Sequence, residues 1–335
     1  TDGPGNGYAV MPEIPGEAVT WQPAGPAWSA DGAMLRVELD RDSGAIRSLV
    51  GRADGTEWVQ ASPGFNALPG ARVERCEGAA LPGVATRLVA DRRMASGATL
   101  RSTVTAYHRL PWVDVWNEIL PPASPLLDIR FALATPATSV EWEIPAGSLE
   151  SGVPAEFTWL RWLRLSSDTG SLMIGGLEAP VATVNGDGLL VTKPAGPTAA
   201  FRLAVQPRGQ DRWREDPWRH GWSMEPLLSA PVTGAGRITL PSFGSLLTTS
   251  DPGAVIIGME PDDDFTLVVY LQELLGLSRT VAVRSAVMRF REARLADLVG
   301  RDRAPLDARD GEVRLELRAH GVTAIRLRQV TTSSA

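Results

Sequence analysis

The chain runs to 335 residues, 44% of them hydrophobic and 21% charged, with a formal net charge of -6. That length and apolar content can fill a real core, whereas the acidic balance offers no basic face to phosphates and argues against a nucleic-acid partner. Cys76 is the single cysteine, which excludes an internal disulfide and a multi-cysteine zinc site, and no apolar run comes near the ~20 residues of a membrane helix.

The opening Thr1-Asp2-Gly3-Pro4-Gly5 has no initiator Met, basic n-region or apolar h-region, so the start is expected to be a cut inside a longer protein. Residues 12–30, rich in Pro, Gly and Ala, are expected as a connecting arm. Leu35, Val37 and Leu39 then alternate with Arg36, Glu38 and Asp40, the period-2 pattern of a half-buried strand. Asp42-Ser43-Gly44 supplies a turn, 45–50 returns as a second strand, and Asp54-Gly55 turns again before Glu57-Trp58-Val59. Further strands are predicted over 83–91, 98–108, 112–119, 126–134 and 139–144, and the tight Leu110-Pro111 link makes the second and third of these an antiparallel pair.

The second half continues with 160–166, 171–175, 188–192 and 201–205, then a long polar loop over 207–226 crowded with Arg and Trp. Loops of that length in a compact domain usually carry function or clamp something. After it come strands over 238–241, 254–260, 266–271, 280–283, 290–295, 312–317 and 323–327, and a small polar tail that is expected to fray. The nearest approach to a helical period is 291–299, so almost no helix is expected. So many strands without alternating helices point to an all-β protein of stacked antiparallel sheets.

Within the loop, Trp213, Arg214, Glu215, Trp218 and His220 place flat rings among hydrogen-bonding groups. Rings that stack on the C–H faces of a sugar, beside groups that grip its hydroxyls, are what carbohydrate recognition requires. The same residues could instead plug a sandwich end, with Arg stacked on Trp and paired with a carboxylate. The histidines, His108, His220 and His320, stand far apart in sequence without metal-ligand spacing, and Asp262-Asp263-Asp264 lacks the spaced ligands of a calcium loop.

The motifs also carry a family resemblance. Gly7-Tyr8-Ala9-Val10, the 34–49 hairpin followed by Asn66-Ala67-Leu68, and Trp112-Val113-Asp114-Val115 with Glu118 resemble, in order, pieces of the C-terminal β-region of family 38 glycoside hydrolases, the α-mannosidases. Ile144-Pro145-Ala146-Gly147, the Trp162 strand, Val205-Gln206-Pro207 with Asp211-Arg212-Trp213-Arg214-Glu215, Pro226-Leu227, Ser242-Phe243, 252–259 and the closing 319–327 are similar to later pieces of the same region. The chain departs from the family pattern at Arg208, at Met224-Glu225 and at Gly175-Gly176-Leu177-Glu178-Ala179-Pro180, where an Asp-x-Lys-Tyr-Gly turn is common.

The resemblance implies a β-supersandwich of the galactose-mutarotase type with a small C-terminal β-sandwich. The implied layout is a linker arm over 1–30, the supersandwich over 31–260, the small sandwich over 261–328 and a flexible tail over 329–335. It implies a non-catalytic role in which this chain, inactive alone, supports a zinc-dependent α/β barrel and contacts a mannose-containing glycan through Trp213, Arg214, Glu215, Trp218 and His220. Zinc and the catalytic carboxylates of a retaining glycosidase then belong to the barrel, and this chain holds no cofactor and no catalytic residue. The barrel is expected in the same protein or a partner chain, with no nucleic-acid or membrane partner and a soluble, bacterial cytoplasmic setting. Two other readings stay open: a free-standing carbohydrate-binding protein with an open groove, or a mutarotase-like epimerase or lyase with His108 or His220 opposite Glu118 or Glu215.

Overall fold

The structure, a computed structural model, describes residues 7–9, 21–120, 126–145, 147–177, 181–194, 196–207, 216–224, 243–263, 265–309 and 311–329. Every strand pairing among them is antiparallel, so the all-β expectation holds. The chain divides into two compact units, 17–227 and a second made of 1–16 with 228–335. Among the described residues no helix is long and apolar enough to cross a membrane.

The larger unit is built from two wide sheets. The first, the wide sheet, has ten strands. From one edge it runs Gly147–Gly152, Ser139–Ile144, Trp162–Ser167, Gly170–Gly176 and Thr198–Pro207. It continues through Trp112–Leu120, Thr99–Tyr107, Ala85–Arg93 and Arg72–Leu81 to Gln22–Gly25. The facing sheet has eight strands, beginning Ala155–Thr158, Val181–Asn185, Gly188–Pro194 and Leu126–Ala132. Phe65–Ala67, Ile46–Gly51, Leu35–Leu39 and Ser29–Asp31 complete it. At both lateral edges one segment steps directly from sheet to sheet: Gln22–Gly25 precedes Ser29–Asp31, and Gly147–Gly152 precedes Ala155–Thr158.

The core lies between these sheets and follows the alternation read from the sequence. Leu35, Val37 and Leu39 are buried in one apolar cluster that also holds Val113, Val115, Phe201 and Leu203 of the wide sheet, while Arg36 on the same strand is exposed. Phe65, Phe131 and Phe201 meet edge to face, at centroid distances of 5.7 and 5.2 Å, the arrangement the ring quadrupole favours. A polar rivet interrupts this oil. Asn66 of the facing sheet and Asn117 of the wide sheet exchange amide hydrogen bonds of 3.0 and 2.9 Å, and Ser102 Oγ donates to Asn117 Oδ1 at 2.6 Å. Arg92, fully buried, donates through Nη1 and Nη2 to the Asn66 carbonyl at 3.2 Å. Burial alone pushes this guanidinium down to about 9.

The smaller unit packs a four-stranded sheet, Thr248–Thr249, Arg279–Arg284, Glu312–Leu317 and Ala308–Arg309, with a five-stranded one around its own core. The five strands are Ala254–Asp263, Thr266–Glu273, Val322–Gln329, Phe290–Ala296 and Asp302–Leu306. The layout that the resemblance implies starts its small sandwich at 261, whereas the sheets of this unit take in strands from Thr248 onward. The boundary placed at 260/261 falls inside Ala254–Asp263, which pairs along its length with Thr266–Glu273, so the long strand binds 254–260 to this unit. Its buried Glu273 accepts the backbone N–H groups of Leu275, Gly276, Leu277 and His320 and pairs with Arg279.

Several elements differ from the expectation. Arg72–Leu81, Gly147–Gly152, Ala155–Thr158, Val181–Asn185 and Asp302–Leu306 are strands that the sequence pattern did not mark. The stretch 291–299, nearest to a helical period, is mostly the strand Phe290–Ala296. The strand expected over 238–241 and the fraying tail over 330–335 lie outside the described residues.

Candidate functional site

The expected site falls in 207–226, and the structure describes part of it. Trp213, Arg214 and Glu215 lie outside the described residues. Beyond them the chain forms a helix, Asp216–Trp222, where a loop was expected. Pro217 suits a first helical turn, since its missing N–H has no partner to lose there.

The helix lies on the outer face of the wide sheet, over a row of residues that strand register lines up. Trp162 stands opposite Gly175, Gly175 opposite Arg202, and Arg202 opposite Asp114. Two glycines let the helix come close. A Cβ on Gly221 would sit 2.8 Å from Trp162 Cβ, and one on Gly175 would sit 2.5 Å from the Met224 sulfur. Gly175 therefore opens the pocket that Met224 fills. In this seat Trp162 is fully buried and Trp218 only 4% exposed. Their rings meet edge to face at 5.3 Å, and Trp218 meets Trp222 in the same way at 6.3 Å.

Two arginine–carboxylate pairs bracket the helix. Buried Glu143 takes the Arg161 backbone N–H at 3.0 Å and its Nη2 at 2.6 Å. It also accepts Trp222 Nε1–H at 3.3 Å, while the Arg161 guanidinium lies over the Trp222 ring, 4.6 Å from its centroid. On the other side Arg202 binds Asp114 through two nitrogens, at 2.6 and 2.8 Å, and reaches the Ser223 carbonyl at 3.0 Å. Its guanidinium covers the Trp112 ring at 4.6 Å. Such planar, bidentate and stacked contacts are the strong ones for arginine.

His220 sits between these groups. It is 5% exposed, its Nε2 bonds the Arg202 carbonyl at 2.9 Å, and its ring edges Trp112 at 6.5 Å. Burial disfavours its cation and pulls it down to about 4, so at neutral pH Nε2 carries the proton and donates. Tyr107, whose hydroxyl donates to Asp114 at 2.8 Å, is pushed up to about 12 by burial and then by the Asp114 charge.

Of the five residues singled out for sugar contact, Trp218 and His220 are thus held together, but inside a packed seat away from solvent. The sequence named them and missed their seat, because Gly175, Trp112, Asp114 and Arg202 come to it only through strand register. His108 bonds Thr86 at 3.1 Å, and Glu118 is a hydrogen-bond partner of neither His108 nor His220 among the described residues. Glu215 lies outside them. Among the described residues no three His, Cys, Asp or Glu side chains are grouped to hold a metal ion.

No family model matches the chain, and no curated protein matches it by sequence. Solved structures do match. An α-mannosidase from Enterococcus faecalis V583 superimposes with a TM-score of 0.68 at 10% identity, over 93% of this chain and 43% of its own. A glycosyl hydrolase family 38 protein from Enterococcus faecalis gives the same TM-score and identity over 93% of this chain and 45% of its own. The chain spans less than half the length of either protein. The likeness first carried by short motifs is thereby one of architecture over nearly the whole chain, which takes the fold of a region of a family 38 α-mannosidase.

Proposed function

We propose that this chain is the non-catalytic, C-terminal β-region of an α-mannosidase-like glycoside hydrolase, a scaffold that supports a zinc-dependent catalytic barrel. The observation that carries this reading is the extent of the match: both units of this chain are covered, while more than half of each mannosidase chain is left over. In this reading the two large sheets form a supersandwich of the mutarotase type. Zinc chemistry and the paired carboxylates belong to the barrel.

The experiment is an assay of the purified chain against an aryl α-mannoside, with and without added zinc. The expected result is no turnover in either case; zinc-dependent turnover by this chain alone overturns the proposal. Contact with a mannose-containing glycan belongs to the same reading, with Trp213, Arg214 and Glu215 as the sugar-facing residues and Trp218 and His220 of the same segment held in the packed seat. Trp213→Ala is then expected to abolish weak binding to mannose oligosaccharides while holding stability within about 1 kcal/mol, as for an exposed site. A large loss of stability would make the segment a structural plug.

A further inference from the structure

The larger unit has a second polar surface, on the outer face of the facing sheet and far in sequence from the helix. Strand register there sets Thr183, Leu190, Arg130 and Ala67 in one row and Asn185, Gly188 and Ala132 in the next. Small residues hollow the face around Arg130. Gly188 has no room for a side chain, since a Cβ there would run into the Phe131 carbonyl oxygen, and Ala132 and Ala67 stop at one carbon. Pro63 walls the hollow beside Arg130 and lines both of two adjoining depressions, of about 380 and 420 Å³ and open to solvent.

Arg130 stands between the two depressions and lines both. It is exposed and has no ion-pair or hydrogen-bond partner among the described residues, whereas Arg47 on the same sheet pairs with Glu38 at 2.5 Å. One depression adds Gln60, Thr183, Asn185 and Asp187, and the other adds Asp40, Asp42, Ser43 and Ser62. Three carboxylates and one guanidinium therefore line the pair of depressions; Asp40 Oδ1 already accepts the Asp42 and Ser43 N–H groups and the Ser43 hydroxyl, and Asn185 Oδ1 the Asp187 and Gly188 N–H groups, which leaves Asp42 and Asp187 as the open acceptors. That balance repels an anion, yet it offers donors and acceptors side by side, which is what a neutral polyhydroxylated ligand needs.

We propose that this hollow is a subsite for a neutral oligosaccharide, with Arg130 donating to hydroxyls at its centre and Asp187 and Asp42 accepting on either side. The inference rests on the carbohydrate-contact part of the proposed function and is independent of its scaffold part. Among the described residues the only aromatic ring lining the hollow, Phe131, is fully buried, so the described lining offers no stacking platform and affinity is expected at about the millimolar level.

The test is saturation-transfer NMR and calorimetric titration of the full chain with mannotriose, repeated on Arg130→Ala and Trp213→Ala and with mannose 6-phosphate as the anionic probe. The expected result is weak mannotriose binding that Arg130→Ala weakens about ten-fold or more, the loss of a charged hydrogen-bonding group at the centre of a site, with an unchanged melting temperature. Mannose 6-phosphate is expected to bind no more tightly than mannose. Mannotriose binding that survives Arg130→Ala but not Trp213→Ala overturns the hollow and leaves the Trp213 contact standing. A wild-type chain that binds no mannotriose, or that prefers the phosphorylated sugar, overturns the hollow and leaves the scaffold proposal untouched.

Discussion

His220 is a titratable ring that its own helix presses against the wide sheet, and its protonation couples to the fold. Its folded value, lowered by burial to about 4, lies below the ~6.5 of an unfolded chain. Between those values the unfolded state binds a proton that the folded state does not, so the stabilisation is complete above pH 6.5 and is lost as pH falls towards 4. The loss is on the order of 3 kcal/mol if the whole shift is expressed. Melting curves between pH 7 and pH 4.5 are expected to fall more steeply for the wild type than for His220→Phe; parallel curves would show that the ring is reached by solvent. Gly221 acts at the same scale by absence. Gly221→Ala places a methyl 2.8 Å from Trp162 Cβ and Cδ1, and is expected to cost about 1–3 kcal/mol, the range for overpacking, measured by urea unfolding. Asn117→Ala should cost about 2–4 kcal/mol, because it orphans the Asn66 amide and the Ser102 hydroxyl in the core at once.

At the scale of elements, the helix Asp216–Trp222 and the strand Trp162–Ser167 depend on each other. The strand is third from the edge of the wide sheet, and its Trp162 points outward, so it is the helix that buries the ring. Trp162→Ala should cost roughly 3–5 kcal/mol, the range for emptying a large buried ring site, and should loosen the helix with it. A protease cut inside 216–224 that appears in the variant and not in the wild type is the expected signature; an unchanged melting temperature would place the ring outside the cooperative core. The strands that the sequence made legible share one property: an alternation such as Leu35, Val37 and Leu39, or Val113 and Val115, faces a single core. Arg72–Leu81 was not legible because one apolar residue of its middle, Cys76, is buried among Glu74, Arg75 and Glu77, which are exposed. The helix was missed for a different reason. Its seven residues, with Pro217 and Gly221 among them, fall short of the window over which a 3.6 period can be read. Trp218 and His220 were legible as chemistry, but their burial was not, since it depends on Gly175 and Gly221 meeting neighbours far away in the chain. The hollow around Arg130 left no local signal at all, because Ala67, Arg130 and Gly188 are brought together by register alone.

At the scale of the whole molecule, each unit owns a separate apolar cluster. A fragment of 17–227 is expected to fold on its own, with a cooperative melt and the intact seat around Trp162, since both of its sheets and its core lie inside those limits. A fragment with no cooperative transition would show that its core needs the second unit. The stepping of the chain between sheets at both lateral edges has a consequence for self-association. A wide sandwich would ordinarily offer four outer strands as templates on which other chains add. Here each outer strand is tethered within a few residues to the rim of the opposite sheet, and three of the four are short, at three or four residues. A neighbour that tried to extend one sheet would meet the crossing segment before it had made many ladder bonds. The hems that fix the width of the sandwich therefore also stop it from growing into a fibre.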